Sequence, residues 1–131
     1  MSVTLYDTLG ANAVGYIIEH SSLPCVVCSG DKVDNVLQAV EGKPTSLRLL
    51  VCMDETITDA QKRRAEVCGI QLYSMKYVED VGRKNPYAHQ PPSPDDLATI
   101  CYTSGKHIYR YKMKKLVRRE RKERRECEYV H

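Results

Sequence analysis

The chain has no tryptophan and no phenylalanine, so all of its aromatic side chains apart from histidine are the nine tyrosines. Three of them, Tyr73, Tyr77 and Tyr87, lie close enough in the sequence to raise the question of a base-stacking surface. Without tryptophan or phenylalanine beside them, these tyrosines are expected to cap the edge of a sheet rather than to form a nucleic-acid surface.

Long apolar runs are also missing. A membrane-spanning helix needs about 18 or more consecutive apolar residues, and every apolar run here is far shorter, so no segment is expected to cross a bilayer. No signal-like apolar segment stands before the first periodic stretch, and six cysteines are a modest number for 131 residues. These features favour a reducing, intracellular compartment over secretion.

The net charge of +3 combines two unlike regions. Residues 1–105 hold nine lysines and arginines against thirteen acidic residues, a net charge of −4, whereas residues 106–131 hold eleven against four, a net charge of +7. Such an asymmetry indicates a body, 1–105, and a separate basic tail, 106–131. The tail also has apolar residues at helical spacing, which predicts a solvated basic helix.

Short apolar runs alternate with amphipathic stretches along the body. This order predicts an α/β fold with a three-layer, mainly parallel sheet of flavodoxin-like or Rossmann-like type, in which each strand is buried on both faces. The predicted strands are residues 3–6, 24–28, 47–52, 70–73 and 97–102, and the predicted helices are centred on residues 13–20, 33–40 and 57–68. Thr58 lies where the third helix should begin, Gly42 and Gly69 lie where helices should end, and residues 82–94 form a proline-rich loop.

Thr103, Ser104 and Gly105 follow the last predicted strand of the body. Two hydroxyls, backbone N–H groups and a glycine just beyond the carboxyl end of a parallel strand suit the binding of phosphate oxygens. Most triplets of this kind are ordinary turns, so the triplet by itself is a weak signal.

The surrounding residues make the signal more specific. Residues 95–105, Asp-Asp-Leu-Ala-Thr-Ile-Cys-Tyr-Thr-Ser-Gly, resemble the start of the phosphate-binding signature of the adenylate-forming, acyl-CoA synthetase superfamily. Residues 6–10, Tyr-Asp-Thr-Leu-Gly, are similar to a segment typical of the long-chain fatty acyl-CoA synthetase branch. The two motifs occur in the family's order, and the resemblance covers residues 1–105.

The resemblance implies a partial AMP-binding, adenylating domain. Family members join a fatty acid to ATP, release pyrophosphate and pass the acyl group to CoA, with ATP, CoA and Mg²⁺ as cofactors, at endoplasmic reticulum, mitochondrial or peroxisomal membranes. It implies that Thr103, Ser104 and Gly105 begin the loop that orders the ATP phosphates. After Gly105 the family continues with further threonine and glycine residues, whereas this chain has Lys106, His107, Ile108 and Tyr109. We therefore expect no fatty-acid activation by the 131 residues alone, whereas binding of ATP, CoA or Mg²⁺ by these residues stays an open question.

Two other function classes stay open. The body could be a non-catalytic module that binds a nucleotide or acyl-CoA, and the basic tail, 106–131, could contact an anionic membrane surface or, less favoured, nucleic acid. We assign no catalytic residue and no metal ligand. Cys25 and Cys28 have the spacing of a metal or redox pair, but on a strand they point to opposite faces and are expected to be small buried apolar residues. His20 and His89 are expected to face solvent.

Overall fold

The structure is a computed structural model that describes residues 1–6, 11–102, 108–112 and 128–130. The described residues form two compact units, one within residues 7–88 and the other within residues 1–6 and 89–131. Their helices are α1 (Ala11–His20), α2 (Gly30–Val40), α3 (Asp59–Val67) and α4 (Met75–Lys84), and their strands are β1 (Ser2–Val3), β2 (Cys25–Cys28), β3 (Leu49–Cys52), β4 (Gln71–Ser74), β5 (Leu97–Tyr102), β6 (Ile108–Lys112) and β7 (Glu128–Val130).

The larger unit contains a three-stranded parallel sheet in the order β2-β3-β4. Cys25 pairs with Leu49, and Leu49 pairs with Gln71, so the three strands start level. Each strand is followed by a helix, which is the arrangement that the alternating sequence predicts. The α/β class with a parallel sheet is therefore confirmed.

The core of the larger unit lies between the sheet and the first two helices. Helix α2 buries the stripe that the sequence predicts, Val33, Val36, Leu37 and Val40, together with Ala39. From α1 the buried residues are Ile17 and Ile18, and from β3 they are Leu50, Val51 and Cys52. The helices α1 and α2 approach closely, because a Cβ placed on Gly15 would lie only 2.8 Å from the Ala39 carbonyl oxygen.

The boundaries of α3 follow from local chemistry. The Thr58 hydroxyl accepts a hydrogen bond from the Gln61 N–H, and the Gln61 side chain accepts one from the Thr58 N–H, which makes a complete capping box. After the helix, Gly69 has a φ of +69°, a conformation that favours glycine, and its N–H donates to the Glu66 carbonyl. Gly42, with a φ of +70°, follows α2 in the same way. The predicted start and end signals are confirmed.

The smaller unit contains a four-stranded mixed sheet in the order β1-β5-β6-β7. β1 and β5 are parallel, with Ser2 paired to Thr99 and Val3 paired to Ile100. β5 and β6 are antiparallel, and Tyr102 pairs with Ile108. β7 completes the sheet as an antiparallel neighbour of β6.

The predicted basic helix in the tail is wrong where the structure describes the tail. Residues 108–112 and 128–130 are strands, and the positions between them lie outside the described residues. The physical reason is twofold: Ile108, Tyr109 and Tyr111 are types that favour strands, and β5 has an edge whose backbone groups need partners.

Two further expectations about the body need correction. β3 is largely buried, but β2 and β4 are not buried on both faces, because they are the edge strands of their sheet; Val27 of β2 is 51% exposed. The sequence reading also missed helix α4, whose Ser74 cap accepts a hydrogen bond from the Tyr77 N–H.

Candidate functional site

The candidate site lies at the carboxyl end of β5. Thr103, Ser104 and Gly105 themselves lie outside the described residues, so their predicted role stays a prediction. The strand that leads to them, β5, is an inner strand of its sheet. It pairs with β1 and β6 and buries Ile100 and Tyr102. In a parallel pair, the residues that follow the carboxyl end are the ones best placed to meet a ligand.

The structure brings the two sequence motifs together at this edge. The Tyr6 hydroxyl lies 3.5 Å from Cys101 Sγ, although the residues are 95 positions apart in the chain. β1 and β5 are parallel neighbours, so both strands run toward the same edge of the sheet. Residues 7–10, the rest of the first motif, lie outside the described residues. The described parts of both motifs therefore lie at one edge.

The carboxyl edge of the larger unit has a different character. The N–H of Gly30, the first residue of α2, donates a hydrogen bond to Asp54 Oδ2 at 2.8 Å, and the Ser29 hydroxyl donates to Asp31. The Asp54 carboxylate thus accepts the first N–H group of α2, at the positive end of the helix. The sequence reading missed this arrangement, for which an aspartate two residues after a predicted strand was the only signal.

The two cysteines of β2 have different surroundings. Cys25 is exposed, contrary to expectation, because β2 is an edge strand, whereas Cys28 is half-buried and pairs in register with the buried Cys52. Burial, and after it the nearby Cys52, Asp31 and Asp54, raises the pKa of Cys28 to about 11. Because only the thiolate is a good nucleophile or metal ligand, this raised pKa disfavours a reactive role for Cys28 at neutral pH. Across the described ranges, no three histidine, cysteine or acidic side chains are grouped so as to hold a metal ion.

The histidines and tyrosines that the sequence singled out either stack on another aromatic ring or face solvent. His20 stacks on Tyr16, with ring centroids 5.3 Å apart, and His89 is exposed in the proline-rich loop. Tyr73 lies on the edge strand β4 and stacks on Tyr77 at 4.8 Å. None of the helices in the described residues combines the length and the apolar character needed to cross a membrane.

Comparison with known proteins identifies the family. The family described as "AMP-binding enzyme" matches residues 1–105. Long-chain-fatty-acid–CoA ligase 6 of Mus musculus is 41% identical over 104 residues, which cover 79% of this chain and 15% of that protein. The peroxisomal long chain acyl-CoA synthetase 6 of Arabidopsis thaliana is 37% identical over 105 residues, which cover 80% of this chain and 15% of that protein.

Solved structures agree on the fold. The adenylation domain of a carboxylate reductase from Mycobacterium chelonae superposes with a TM-score of 0.73 at 24% identity, covering 85% of this chain and 19% of that chain. At this identity, the likeness concerns the fold alone.

The chain spans about 15% of the length of the curated relatives. Within that span, the resemblance to long-chain fatty acyl-CoA synthetases predicted from residues 6–10 and 95–105 is confirmed. The chain belongs to the AMP-binding enzyme family.

Proposed function

We propose that residues 1–105 supply one segment of the adenylating domain of a long-chain fatty acid–CoA ligase, including the first part of its ATP-phosphate loop. The supporting observation is the family match over residues 1–105, together with identity near 40% to ligases of this name. The matched residues end at Gly105, the last residue of the predicted phosphate-binding triplet.

The proposed chemistry is electrostatic. Adenylation joins a fatty-acid carboxylate to the α-phosphorus of ATP and expels pyrophosphate, so negative charge builds on the phosphate oxygens. The Thr103 and Ser104 hydroxyls and the N–H groups of this turn would donate hydrogen bonds to those oxygens, and Gly105 would let the backbone approach closely. Mg²⁺ on the ATP phosphates, and CoA as acyl acceptor in the second step, would be held by residues outside these 105.

A chimera tests this role. Residues 1–105 replace the matching segment of the mouse ligase 6, and palmitate-dependent formation of AMP and pyrophosphate from ATP is measured. We expect the chimera to be active. The loss of one preorganised donor typically lowers turnover by about 10²-fold, so Thr103→Ala and Ser104→Ala should each lower it by roughly that factor.

The control is Thr56→Ala, which removes an exposed hydroxyl of the larger unit that makes no hydrogen bond within the described part of the chain. It should leave turnover unchanged. Full activity of both the Thr103→Ala and the Ser104→Ala chimera would contradict the phosphate role.

The 131-residue chain by itself is proposed to be inactive. After Gly105 it has Ile108 and Tyr109 where the family needs residues that let the backbone approach phosphate, and residues 108–112 form a strand paired to β5. ATP- and CoA-dependent conversion of palmitate by the purified chain, above a heat-treated control, would overturn this.

Two other outcomes separate the remaining function classes. Binding of ATP, AMP or palmitoyl-CoA to the chain in calorimetry, without turnover, would indicate a ligand-binding module. Binding to anionic liposomes or RNA that falls steeply with salt, and that is lost when residues 106–131 are removed, would indicate a basic interaction protein. We further propose a peripheral location at an intracellular membrane (endoplasmic reticulum, mitochondrial or peroxisomal), which imaging of the tagged chain would check.

A further inference from the structure

Helix α4 (Met75–Lys84) has one apolar face and one charged face. At 100° per residue, the apolar residues fall on one side of the helix and all the charged residues fall on the other. The apolar face consists of Met75, Tyr77, Val78, Val81 and Gly82.

Four side chains of the charged face form ion pairs with one another along the helix. Lys76 pairs with Asp80 at 3.5 Å, and Arg83 pairs with Glu79 at 3.2 Å and with Asp80 at 3.1 Å. These pairs follow the three- and four-residue spacings that stabilise an exposed helix surface. This face needs no protein neighbour.

The apolar face, in contrast, is only partly covered, by the stacking of Tyr77 on Tyr73 of β4. Tyr77, Val78 and Val81 are 52%, 38% and 41% exposed, and α4 buries no residue at all. The neighbouring helix α2, which is one residue longer, buries five. A ten-residue helix is marginal in water unless its apolar face packs against something, so the face of α4 is built for a neighbour.

We infer that the apolar face of α4 is a docking surface for the part of an adenylating domain that these 131 residues do not span. The extent of the relatives supports this occupant: the chain covers 15% of the mouse ligase and 19% of the carboxylate reductase adenylation chain, so most of such a domain lies outside it. The surface rests on family membership and does not require Thr103–Gly105 to bind phosphate.

Coexpression tests the docking surface with the full 131-residue chain. The tagged chain is produced together with the mouse ligase 6 from which the matching segment has been removed. The readouts are the amount of truncated ligase in the soluble fraction and the amount that copurifies with the tag. Both should rise several-fold with the unmodified chain.

Val78→Asp and Val81→Asp place a carboxylate on the apolar face, and Lys76→Asp places one on the opposite face as the matched control. The three positions are solvent-exposed, so all variants should keep the circular dichroism spectrum of the parent. Recovery of the truncated ligase should be lost with the two valine variants and kept with Lys76→Asp, because burial of an unpaired carboxylate in the interface is energetically unfavourable.

Three results would overturn the inference. The unmodified chain could fail to raise the recovery of the truncated ligase. Alternatively, Val78→Asp and Val81→Asp could leave that recovery unchanged. Sedimentation could instead show that the chain alone is a dimer that both valine variants convert to a monomer, in which case the occupant is a second copy.

Discussion

The N–H of Gly30 and the carboxylate of Asp54 form a 2.8 Å hydrogen bond that joins the start of α2 to the segment after β3. Helix N-termini attract anions, and here the anion is the protein's own side chain. A Cβ on residue 30 would lie 2.6 Å from Asp54 Oδ2, so the contact needs glycine. The segment after β3, at the carboxyl edge of the parallel sheet, thus supplies an internal carboxylate to the start of α2.

Gly30→Ala should lower the free energy of unfolding by about 1 kcal/mol, the typical worth of one hydrogen bond. The added Cβ displaces a side-chain carboxylate, which can move, so a larger loss is not expected. Urea unfolding followed by circular dichroism measures the change. In an Asp54→Ala background the same substitution should change stability by less than about 0.5 kcal/mol, because the obstructing oxygen is gone. Equal losses in both backgrounds would show that the two residues are not coupled.

Gly15→Ala should be more damaging, because the obstacle is backbone. The new Cβ would lie 2.8 Å from the Ala39 carbonyl oxygen, so α1 and α2 would have to move apart, at roughly 1–3 kcal/mol. Gly82→Ala in α4 is the control, since among the described residues outside its own helix turn nothing lies within 4 Å of the added Cβ. It should stabilise the isolated chain by about 0.5–1 kcal/mol through helix propensity. Thermal unfolding of both variants checks the opposite signs.

The sequence predicted those parts of the fold that local chemistry determines. The alternation of apolar runs predicted the parallel strands, and the stripe from Val33 to Val40 predicted the buried face of α2. Thr58, Gly42 and Gly69 marked helix boundaries because a hydroxyl cap and a positive φ are properties of single residues in the chain.

The features that were missed depend on partners distant in the chain. The helical spacing of residues in the tail predicted a helix, but the edge of β5 recruited residues 108–112 as a strand. Cysteine is a residue type that is often buried in strands, and the exposure of Cys25 follows only from the edge position of β2. For the candidate site, the sequence located the strand end, and only the fold brought Tyr6 to Cys101.

Thr58→Ala should destabilise the chain by about 0.5–2 kcal/mol, because it removes the hydroxyl that accepts the Gln61 N–H at the start of α3. Thr58→Ser keeps an oxygen in that place and should stay within about 0.5 kcal/mol of the parent. Urea unfolding distinguishes the two variants. If both lost the same stability, the methyl group of Thr58 rather than the capping hydrogen bond would be responsible.

The stability of the chain should fall between pH 9 and pH 11, in part through Cys28. The pKa of this thiol is raised from its ordinary value of 9.0 to about 11, chiefly by burial. In that window the unfolded chain releases the thiol proton while the folded chain keeps it, so rising pH favours unfolding; below pH 9 both states hold the proton and the effect vanishes. Unfolding free energies from pH 8 to pH 11 should therefore decline less steeply for Cys28→Ala. Parallel curves for the two proteins would contradict the assignment.

Removal of residues 106–131 should make the body aggregate, because the tail supplies β6, the antiparallel neighbour of β5. Its other neighbour, β1, is only two residues long, so truncation exposes a row of β5 backbone N–H and C=O groups that can pair with another molecule. A chain of residues 1–112 keeps β6 and is the matched control. At equal concentration and ionic strength, light scattering should detect large particles for residues 1–105 and few for residues 1–112. Should 1–105 remain as monomeric as the parent, the body would be independent of the tail, and the domain boundary predicted from the charge asymmetry would hold.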